Sequence, residues 1–400
     1  MTRQVWILNH FAVPQGEPGG TRHTELFAML TDWEYLIFAA RNNPTTRKRQ
    51  RDHVGFRFVP VTSYSSNGIS RILNWASYAV NATTYAVAAG IRKRPHVIYA
   101  SSPHLLAGLA GATLARFFRV PLVLEIRDLW PKVLVDMGQV SECSLVYRIL
   151  RQLELRLYAE AMRVVVLTEG VRRALVEQGI PENQIVLIPN AADPSFFVVG
   201  SDRDEDRSEL GFRGFTFIYA GAHGPANGLD LVLDAARELR TQGRNDISIA
   251  LVGDGLERVR LMNQARADGL TNVTFREPVA KSEVPRLLHA ADAGLHCLAD
   301  LPLFRYGVSP NKIFDYMAAG LPVLTNTPGE MAALIATARS GVATQPSGLA
   351  DGMKQLADAS FEARTAWGEA GISFMSEHQS RSAMARRLHG LLSSVAGQPR

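Results

Sequence analysis

Short apolar runs recur along the chain, with helical segments between them. Seven runs precede residue 193 and predict strands at Val5–Leu8, Tyr35–Ala39, Phe56–Val61, Val97–Ala100, Leu122–Ile126, Val164–Leu167 and Ile185–Ile188. Five more follow residue 214, at Phe215–Ala220, Ile247–Val252, Val273–Phe275, Ala293–Leu298 and Val323–Thr325. Apolar strands that alternate with helices are typical of parallel sheets covered on both faces. The pattern therefore predicts an α/β protein with two doubly wound domains.

The segment 193–214 interrupts this alternation. It contains a proline, three glycines and a charged block, a composition typical of a connection between domains. The stretch from about Phe361 to Ser394 is predicted to be helical. The predicted parts are an N-terminal domain over 1–192, a linker over 193–214, a C-terminal domain over 215–375 and a final helix over 376–400 that could pack back on the N-terminal domain.

Composition narrows the class of protein. The 400 residues are too many for one core, and 46% hydrophobic with 20% charged residues is usual for soluble proteins. The two cysteines, Cys143 and Cys297, lie far apart and fit a reducing cytosol, and the N-terminus reads as a strand and not as a signal peptide. The ten histidines lack metal-binding spacing, so no metal or other cofactor is expected.

Positive charge is concentrated in the first half. Residues 1–190 carry 22 Lys and Arg against 14 Asp and Glu, whereas the remaining residues carry 21 against 24. Two basic clusters, Arg47–Arg51 and Arg92–Arg94, could contact anionic lipid or be ordinary solvated surface. No aromatic stacking pattern or binding motif accompanies them, so nucleic acid is not an expected partner.

Between the basic clusters lies Ile69–Ile91, a helical stretch too polar to span a membrane. It could lie at a membrane interface with Trp75, Tyr78 and Tyr85 near the lipid headgroups. The alternative is a helix packed between a sheet and solvent. The expected location is cytoplasmic, with peripheral attachment to the inner face of the plasma membrane under the first alternative.

The run from Ser309 to Val323 predicts a loop, a short helix, a Gly-Leu-Pro turn and a strand. A lysine near the start of a helix, Lys312, suits a phosphate, and a carboxylate one turn later, Asp315, can accept from two sugar hydroxyls. The run therefore suggests a nucleotide-sugar site. The alternative is a helix that buries its apolar face and leaves Lys312 and Asp315 in water.

Ligands of doubly wound domains bind where the strands end, and with two such domains the cleft between them is the predicted site. After the first strand, Gly19 and Gly20 precede a helix and would let a backbone approach a phosphate or sugar closely, with Arg22 in the first turn near an anion. A plain tight turn is the alternative.

The strand Leu122–Ile126 leads into Glu125, Arg127, Asp128 and Trp130. Charges at the end of an apolar strand need a reason, because burying them unpaired is costly. They could be a structural ion pair. A carboxylate facing a cleft could also orient or deprotonate a substrate hydroxyl.

Two glycine loops follow strands of the second domain. Gly221 and Gly224 suit backbone donation to a diphosphate, and His223 or Asn227 could add a side-chain donor. The second loop, Gly253–Gly255, is a weak signal, and it does not complete a dinucleotide fingerprint because Arg258 occupies the sixth position. A nicotinamide-dependent enzyme is therefore disfavoured.

Taken in order and spacing, these segments resemble the retaining GT-B glycosyltransferases of group 1, family 4, which have two Rossmann-like domains facing across a cleft. Within that family the chain resembles bacterial transferases that build lipopolysaccharide O-antigen and exopolysaccharide. The segments that carry the resemblance are Pro18–Arg22, Glu125–Pro131, Ile188–Asp193, Ala220–Gly228, Val252–Gly255 and Ser309–Val323.

The resemblance implies roles for individual residues. Catalytic roles fall on Asp128, Arg127 and Lys312. Donor binding falls on Gly19, Gly20, Gly221, His223, Gly224, Asp254, Ser309, Asn311, Lys312 and Asp315. Arg22, Glu125 and Trp130 are placed on the acceptor side. No metal is implied, because a lysine and helix N-terminal amides can stabilise a departing diphosphate.

The chain departs from the family pattern at three positions. Gly307 and Asn227 stand where many members have a glutamate and a basic residue, and Asp315 replaces a glutamate that binds the ribose. The implied activity is transfer of a sugar, most simply from a UDP-sugar, to a glycan or a polyprenyl-diphosphate-linked acceptor. A UDP-sugar 2-epimerase and a non-catalytic nucleotide-sugar binding protein are the alternatives.

Overall fold

A computed structural model describes residues 2–17, 19–64, 68–301, 304 and 307–397 of the protein. Pro18, the first residue of the N-terminal glycine motif, lies outside the described residues. The chain folds into two compact units, residues 1–189 with 384–400, and residues 190–383. Each unit is built around one parallel sheet.

The sheet of the first unit has seven parallel strands in the order β3-β2-β1-β4-β5-β6-β7. The strands are β1 Arg3–Leu8, β2 Trp33–Ala40, β3 Phe56–Val59, β4 Val97–Ser102, β5 Leu122–Ile126, β6 Arg163–Val166 and β7 Ile185–Leu187. The helices are α1 Arg22–Ala28, α2 Ile69–Gly90, α3 Leu105–Phe118, α4 Lys132–Asp136, α5 Leu145–Glu160 and α6 Glu169–Glu177.

The second unit has a six-stranded parallel sheet in the order β10-β9-β8-β11-β12-β13. Its strands are β8 Phe215–Ala220, β9 Ile247–Val252, β10 Val273–Arg276, β11 Ala293–His296, β12 Val323–Thr325 and β13 Gly341–Ala343. Its helices are α7 Arg203–Glu209, α8 Leu229–Thr241, α9 Arg258–Ala267, α10 Val284–His289, α11 Asn311–Ala318, α12 Glu330–Ala338, α13 Leu349–Asp358 and α14 Phe361–His378. The last helix, α15 Arg381–Val395, belongs to the first unit from residue 384 onward.

The two sheets confirm the predicted fold class, and each of the twelve predicted strands is present. Strand β3 ends at Val59 and not at Val61, because Pro60 has no N–H to continue the ladder. Strand β13 is additional: it has three residues and a single large apolar side chain, Val342, which is too little for a periodic signal.

Two stretches differ in detail from the expected pattern. The helical C-terminal stretch is two helices, α14 and α15, separated at 379–380. Segment 193–214 contains a 3₁₀ turn, Pro194–Phe197, and helix α7, whose first turn is capped by Asp202. Both features of this segment belong to the second unit.

Helix α2 shows how the first sheet is covered. Its buried positions, Asn74, Tyr78, Ala82, Ala86 and Gly90, recur every four residues, as expected for one face of a helix. Tyr78 is fully buried and donates to the Phe38 carbonyl at 2.8 Å, so its predicted location near lipid headgroups is wrong. Within the described residues, every helix is too short or too polar to cross a membrane.

Candidate functional site

Helix α11 carries Lys312, the lysine that the sequence predicts to bind the donor diphosphate. Its buried side chains, Ile313, Phe314, Tyr316, Met317 and Ala318, turn one face into the core. Lys312 is not among these core side chains, but it is not in open water either. Its Nζ lies 4.6 Å from the ring centroid of Tyr219 and 3.3 Å from Oδ1 of Asn227.

The side chain of Lys312 passes so close to residue 221 that only a glycine fits at that position. A Cβ built on Gly221 would lie 2.2 Å from Cε of Lys312, so any larger residue would push the ammonium group out of this position. Burial lowers the pKa of Lys312 to about 8. A lysine held in this way keeps little hydration, and a phosphate oxygen nearby would favour its charged form.

The two glycine loops of the second unit interlock. Gly253 has φ of 142°, and a Cβ there would lie 1.9 Å from the carbonyl oxygen of Gly221. His223 N–H donates to the carbonyl of Asp254 at 2.8 Å, and Glu257 N–H donates to the carbonyl of His223 at 2.9 Å. The loops after β8 and β9 therefore form one rigid surface, with the Asp254 side chain exposed at its edge.

His223 is enclosed by this loop pair. The residue is fully buried, and neither ring nitrogen has a hydrogen-bond partner in the part of the chain that the structure describes. Burial lowers the pKa of His223, so the ring is neutral at pH 7. Buried polar atoms are normally paired, and two unpaired nitrogens mark a place where a ligand or water completes the bonding. A contact to a diphosphate stays a prediction.

The loop before α11 is fastened by Asn190, a residue whose individual role the sequence did not reveal. Asn190 N–H donates to Oγ of Ser309 at 2.9 Å, and its Nδ2 donates to the Ser309 carbonyl at 2.5 Å. The only signal for this contact was the Pro-Asn pair in the motif Ile188–Asp193. Asn311, the first residue of α11, is exposed.

In the first unit, two of the residues predicted for the acceptor side, Arg22 and Glu125, belong to a buried charge network. The Glu125 carboxylate is fully buried and receives Nε of Arg22 at 3.1 Å, Tyr99 OH at 2.7 Å and Ser101 Oγ at 3.1 Å. Nε2 of His23 lies 3.1 Å from the same carboxylate.

These contacts explain the ionisation of Glu125. Burial alone would raise its pKa, but the neighbouring His23 and Arg22 outweigh burial and hold the pKa of Glu125 well below its usual range. Burial lowers the pKa of His23, so Arg22 is the partner that carries charge at pH 7. The guanidinium of Arg22 also donates to the carbonyls of Ile188 and Pro189. Arg22 therefore binds both Glu125 and the main chain, and contact with an acceptor stays a prediction for Arg22 and Glu125.

The residues after Glu125 are more accessible. Arg127 lies 3.7 Å from Glu125, and Asp128 is exposed at the end of β5. Trp130 is partly buried, with its ring 5.5 Å from that of Trp75 in a perpendicular arrangement. Asp128 is thus placed where a substrate hydroxyl could reach it, while its catalytic role and that of Arg127 remain predictions.

The N-terminal glycine loop closes back on the strand that precedes it. Gly20 pairs with Ala12 in an isolated parallel bridge, and Val13 N–H donates to the Gly20 carbonyl at 3.3 Å. Gly19 has φ of 138°, and a Cβ there would lie 3.0 Å from Val13. Both glycines are exposed, which leaves their backbone accessible.

A pocket that sequence reasoning missed lies beside this loop, in the first unit. It has a volume of about 210 Å³ and opens where strands β1, β2 and β3 end. The residues that line it are His10, Phe11, Ala40, Asn42, Asn43, Pro44, Arg47, Val61, Thr62, Ser63, Tyr64 and Asn74. They come from four separate segments, none of which contains a recognisable motif.

The two parallel-sheet units have the fold of GT-B glycosyltransferases. The family model described as "Glycosyl transferase 4-like domain" matches residues 20–191, and that described as "Glycosyl transferases group 1" matches residues 214–359. Together the two matches cover most of the chain. The protein therefore belongs to the group 1 glycosyltransferases with a family 4-like first domain, as the sequence motifs predicted.

Two named relatives also match this chain in sequence. WcaI of Escherichia coli (strain K12), whose name assigns it to colanic acid biosynthesis, is 24% identical over 258 residues, which is 63% of this chain and 62% of that protein. WbjE of Pseudomonas aeruginosa, named as a glycosyltransferase, is 26% identical over 264 residues, 65% of this chain and 62% of that protein. Each match thus spans less than two thirds of the relative's length.

Solved structures share the architecture over nearly the whole chain. Anabaena HepE, solved in complex with UDP and glucose, superposes with a TM-score of 0.72 at 19% identity, covering 98% of this chain and 100% of HepE. WaaG, a glycosyltransferase involved in lipopolysaccharide biosynthesis, has a TM-score of 0.71 at 16% identity, with 98% of this chain and 100% of WaaG covered. At this level of identity the likeness shows the fold.

Proposed function

We propose that the protein is a retaining glycosyltransferase that moves a sugar from a UDP-sugar to a glycan or polyprenyl-diphosphate-linked acceptor in the synthesis of a cell-surface polysaccharide. Membership of the group 1 family supports transfer of a glycosyl group. HepE was solved with UDP and glucose, and the names of WcaI and WaaG refer to colanic acid and lipopolysaccharide. These relatives support the choice of donor nucleotide and of pathway class.

The observation that carries the proposal is the position of Lys312 across Gly221. It places a largely buried ammonium group against a loop of glycines whose backbone cannot be crowded by side chains. Such a combination suits the β-phosphate of a nucleoside diphosphate, where a point charge and backbone N–H groups act together. Asp315, one turn along α11, is the carboxylate assigned to the ribose hydroxyls.

The chemistry assigned to these groups is electrostatic. The bond between the anomeric carbon and the diphosphate oxygen breaks, and a bond from the anomeric carbon to the acceptor oxygen forms on the same face. Lys312 stabilises the negative charge that develops on the diphosphate as it leaves. The acceptor hydroxyl gives up its proton to the departing diphosphate, with Asp128 orienting that hydroxyl.

The exposed face of α2 supports attachment to an anionic membrane. Ile69, Ile72, Leu73 and Val80 are more than half exposed, and the basic cluster Arg92–Arg94 follows the end of the helix. Apolar side chains next to basic ones bind lipid surfaces through burial and charge attraction together. A surface of this kind would hold the enzyme near a lipid-linked acceptor.

A thermal-shift panel with UDP, GDP, ADP and their common sugar conjugates tests the donor assignment. A ligand at about 100 times its dissociation constant adds roughly 2.7 kcal/mol to stability, so binding will raise the melting temperature measurably. We expect a shift with UDP or a UDP-sugar in the wild type and none in Lys312→Ala.

The matched control is Lys354→Ala. Lys354 belongs to the same unit but pairs with Asp351 on α13, away from the glycine loops. It should keep the full shift. Equal shifts in both lysine variants, or no shift with any nucleotide, would contradict the assignment of the diphosphate to Lys312.

A further inference from the structure

One wall of the pocket between β1, β2, β3 and α2 is formed by His10, whose ring contacts are all defined. The ring of His10 is stacked between Phe11, 4.5 Å away, and Tyr78, 4.3 Å away. Both faces of the imidazole are therefore covered, and only its edge is left to line the pocket. The Nδ1 corner of that edge is occupied by His104 Nε2 at 2.9 Å.

The N-terminus of α3 decides which nitrogens carry protons. His104 caps this helix, and its Nδ1 accepts the N–H of Ala107 at 3.2 Å, so Nδ1 carries no proton. Burial lowers the pKa of His10 to about 3 and that of His104 well below its usual value, so both rings are neutral at pH 7. A neutral imidazole has one N–H, and that of His104 must therefore be on Nε2.

The proton on His104 in turn fixes the proton of His10. His104 Nε2–H donates to Nδ1 of His10, which leaves the single proton of His10 on its Nε2. This N–H has no hydrogen-bond partner within the described residues, and His10 is one of the residues that line the pocket. The backbone of a helix thus sets a hydrogen-bond donor at the pocket wall through two histidines.

An acceptor stands on the wall formed by α2. Asn74 is 2% exposed, and its Nδ2 donates to the carbonyl of Thr62, which fixes the orientation of the amide. Its Oδ1 is buried and has no partner in the described part of the chain. Buried amide oxygens are normally paired, so this one marks a place beside the pocket where a water or a ligand donor, such as a hydroxyl group, completes the bonding.

The rim of the pocket carries a cation. Arg47 has φ of 60°, an unusual conformation for a residue with a side chain, and its guanidinium lies 4.5 Å above the ring of Tyr64. Asn43 holds this loop, because its Oδ1 accepts the N–H groups of Thr45 and Thr46. Within the described residues, Arg47 has no carboxylate partner.

We propose that this pocket binds a sugar ring that carries a negatively charged substituent, and that this ring is part of the acceptor. Arg47 binds the anionic group, His10 Nε2–H donates to a ring or hydroxyl oxygen, and Asn74 Oδ1 accepts from a hydroxyl. The volume of about 210 Å³ is sufficient for one such ring. The identification of the ring with the acceptor rests on the proposed transferase function, whereas its charge and contacts rest on the pocket alone.

The test is binding of free sugars to the full-length protein without nucleotide, followed by NMR. The probes are glucuronate and glucose 6-phosphate as carboxylate and phosphate forms, and glucose as the neutral form. We expect either or both anions to bind about tenfold more tightly than glucose, and Arg47→Gln to abolish this preference. The anion that binds better identifies the substituent.

The control is Lys48→Gln, which removes the same charge from the next residue of the same loop but does not line the pocket. It should leave the preference for the charged sugars intact. Equal binding of glucose and the anions, binding of none of the three, or an equal loss in both variants would overturn the proposal.

A second measurement uses protein labelled with ¹⁵N histidine, with His10→Gln to assign the signal. We expect His10 to show the Nε2–H form over pH 6–8 and its signal to move on addition of the anionic sugar. A Nδ1–H form would contradict the hydrogen-bond relay.

UDP binding in the thermal-shift panel is independent of this pocket. UDP binding without sugar binding therefore refutes this inference alone, and sugar binding without UDP binding refutes the donor assignment alone.

Discussion

The two units carry their candidate sites in different ways. In the second unit, consecutive residues after strands β8 and β9 and at the start of α11 form one surface, and each contact joins two short motifs. In the first unit, the pocket draws single residues from four segments. A binding surface made of contiguous backbone leaves a motif in the sequence, whereas one made of scattered side chains does not.

The two units also differ in what keeps them rigid. The second unit holds its loops by glycines that allow backbone atoms to approach within contact distance. The first unit holds its strand ends by a buried charge network around Glu125. Three substitutions test the buried charge network, the glycine contacts and the exposed surface of α2.

The largest effect is expected for Glu125→Gln. The substitution places a neutral amide opposite the buried guanidinium of Arg22, and changes that break a buried ion network cost about 3–5 kcal/mol. The free energy of unfolding from urea titration measures this loss. Glu34→Gln is the control, because Glu34 and Lys93 are each half exposed and such a pair contributes less than about 1 kcal/mol. Equal costs would mean that the network is not a stabilising element.

The pH dependence of Glu125 has a definite sign. Its pKa in the folded protein lies well below the value of about 4.3 for an unfolded glutamate. The stabilisation is therefore complete above the unfolded pKa and is lost as pH falls through the folded pKa. The stability difference between wild type and Glu125→Gln should thus be constant from pH 6 to 8 and shrink only in acid.

A somewhat smaller effect is expected for Gly253→Ala. The added Cβ would meet the Gly221 carbonyl at 1.9 Å, and the backbone conformation with φ of 142° disfavours a side chain. We expect a loss of about 3 kcal/mol in unfolding free energy. Gly243→Ala also places a side chain at positive φ but meets nothing within 4 Å, so its cost should stay near 1 kcal/mol. A similar cost for both would show that the loops do not interlock.

The smallest effect concerns the surface of α2. Ile72→Asp should weaken sedimentation with anionic liposomes at low salt several-fold, because it removes an apolar contact and adds a repelled charge. Val259→Asp places the same change on an exposed position of the second unit and should bind as the wild type does. Absence of wild-type binding to anionic liposomes would refute the membrane proposal.

The contrast between contiguous motifs and scattered side chains also explains which features of the fold and site the sequence could predict. Continuous apolar runs mark the strands, and motifs such as Ser309–Val323 mark the loops that follow them, so the fold class and the family were predictable. Strand β13 was not, because Gly341–Ala343 fits the edge of the sheet through a glycine and one valine. Short edge strands are defined by their neighbours and not by their own periodicity.

The sequence could not reveal the donor formed by His10. Its proton position depends on His104, which is 94 residues away, and on the amide of Ala107 at the start of α3. Nor could it distinguish the burial of Glu125 from the exposure of Asp128, three residues along the chain. The burial of Glu125 is set by its contacts with Arg22 and His23 of α1, which lie about a hundred residues earlier in the chain.

The most direct test of the account is the pH dependence of UDP affinity, measured by calorimetry on wild type and Lys312→Arg. The pKa of about 8 for Lys312 predicts that wild-type affinity is constant below pH 7 and falls about tenfold between pH 8 and pH 9.5, as the lysine loses its proton. An arginine stays charged, so the variant should show no such fall. A wild-type affinity that is unchanged at pH 9.5, or a fall of equal size in Lys312→Arg, would contradict the assignment of the donor diphosphate to Lys312.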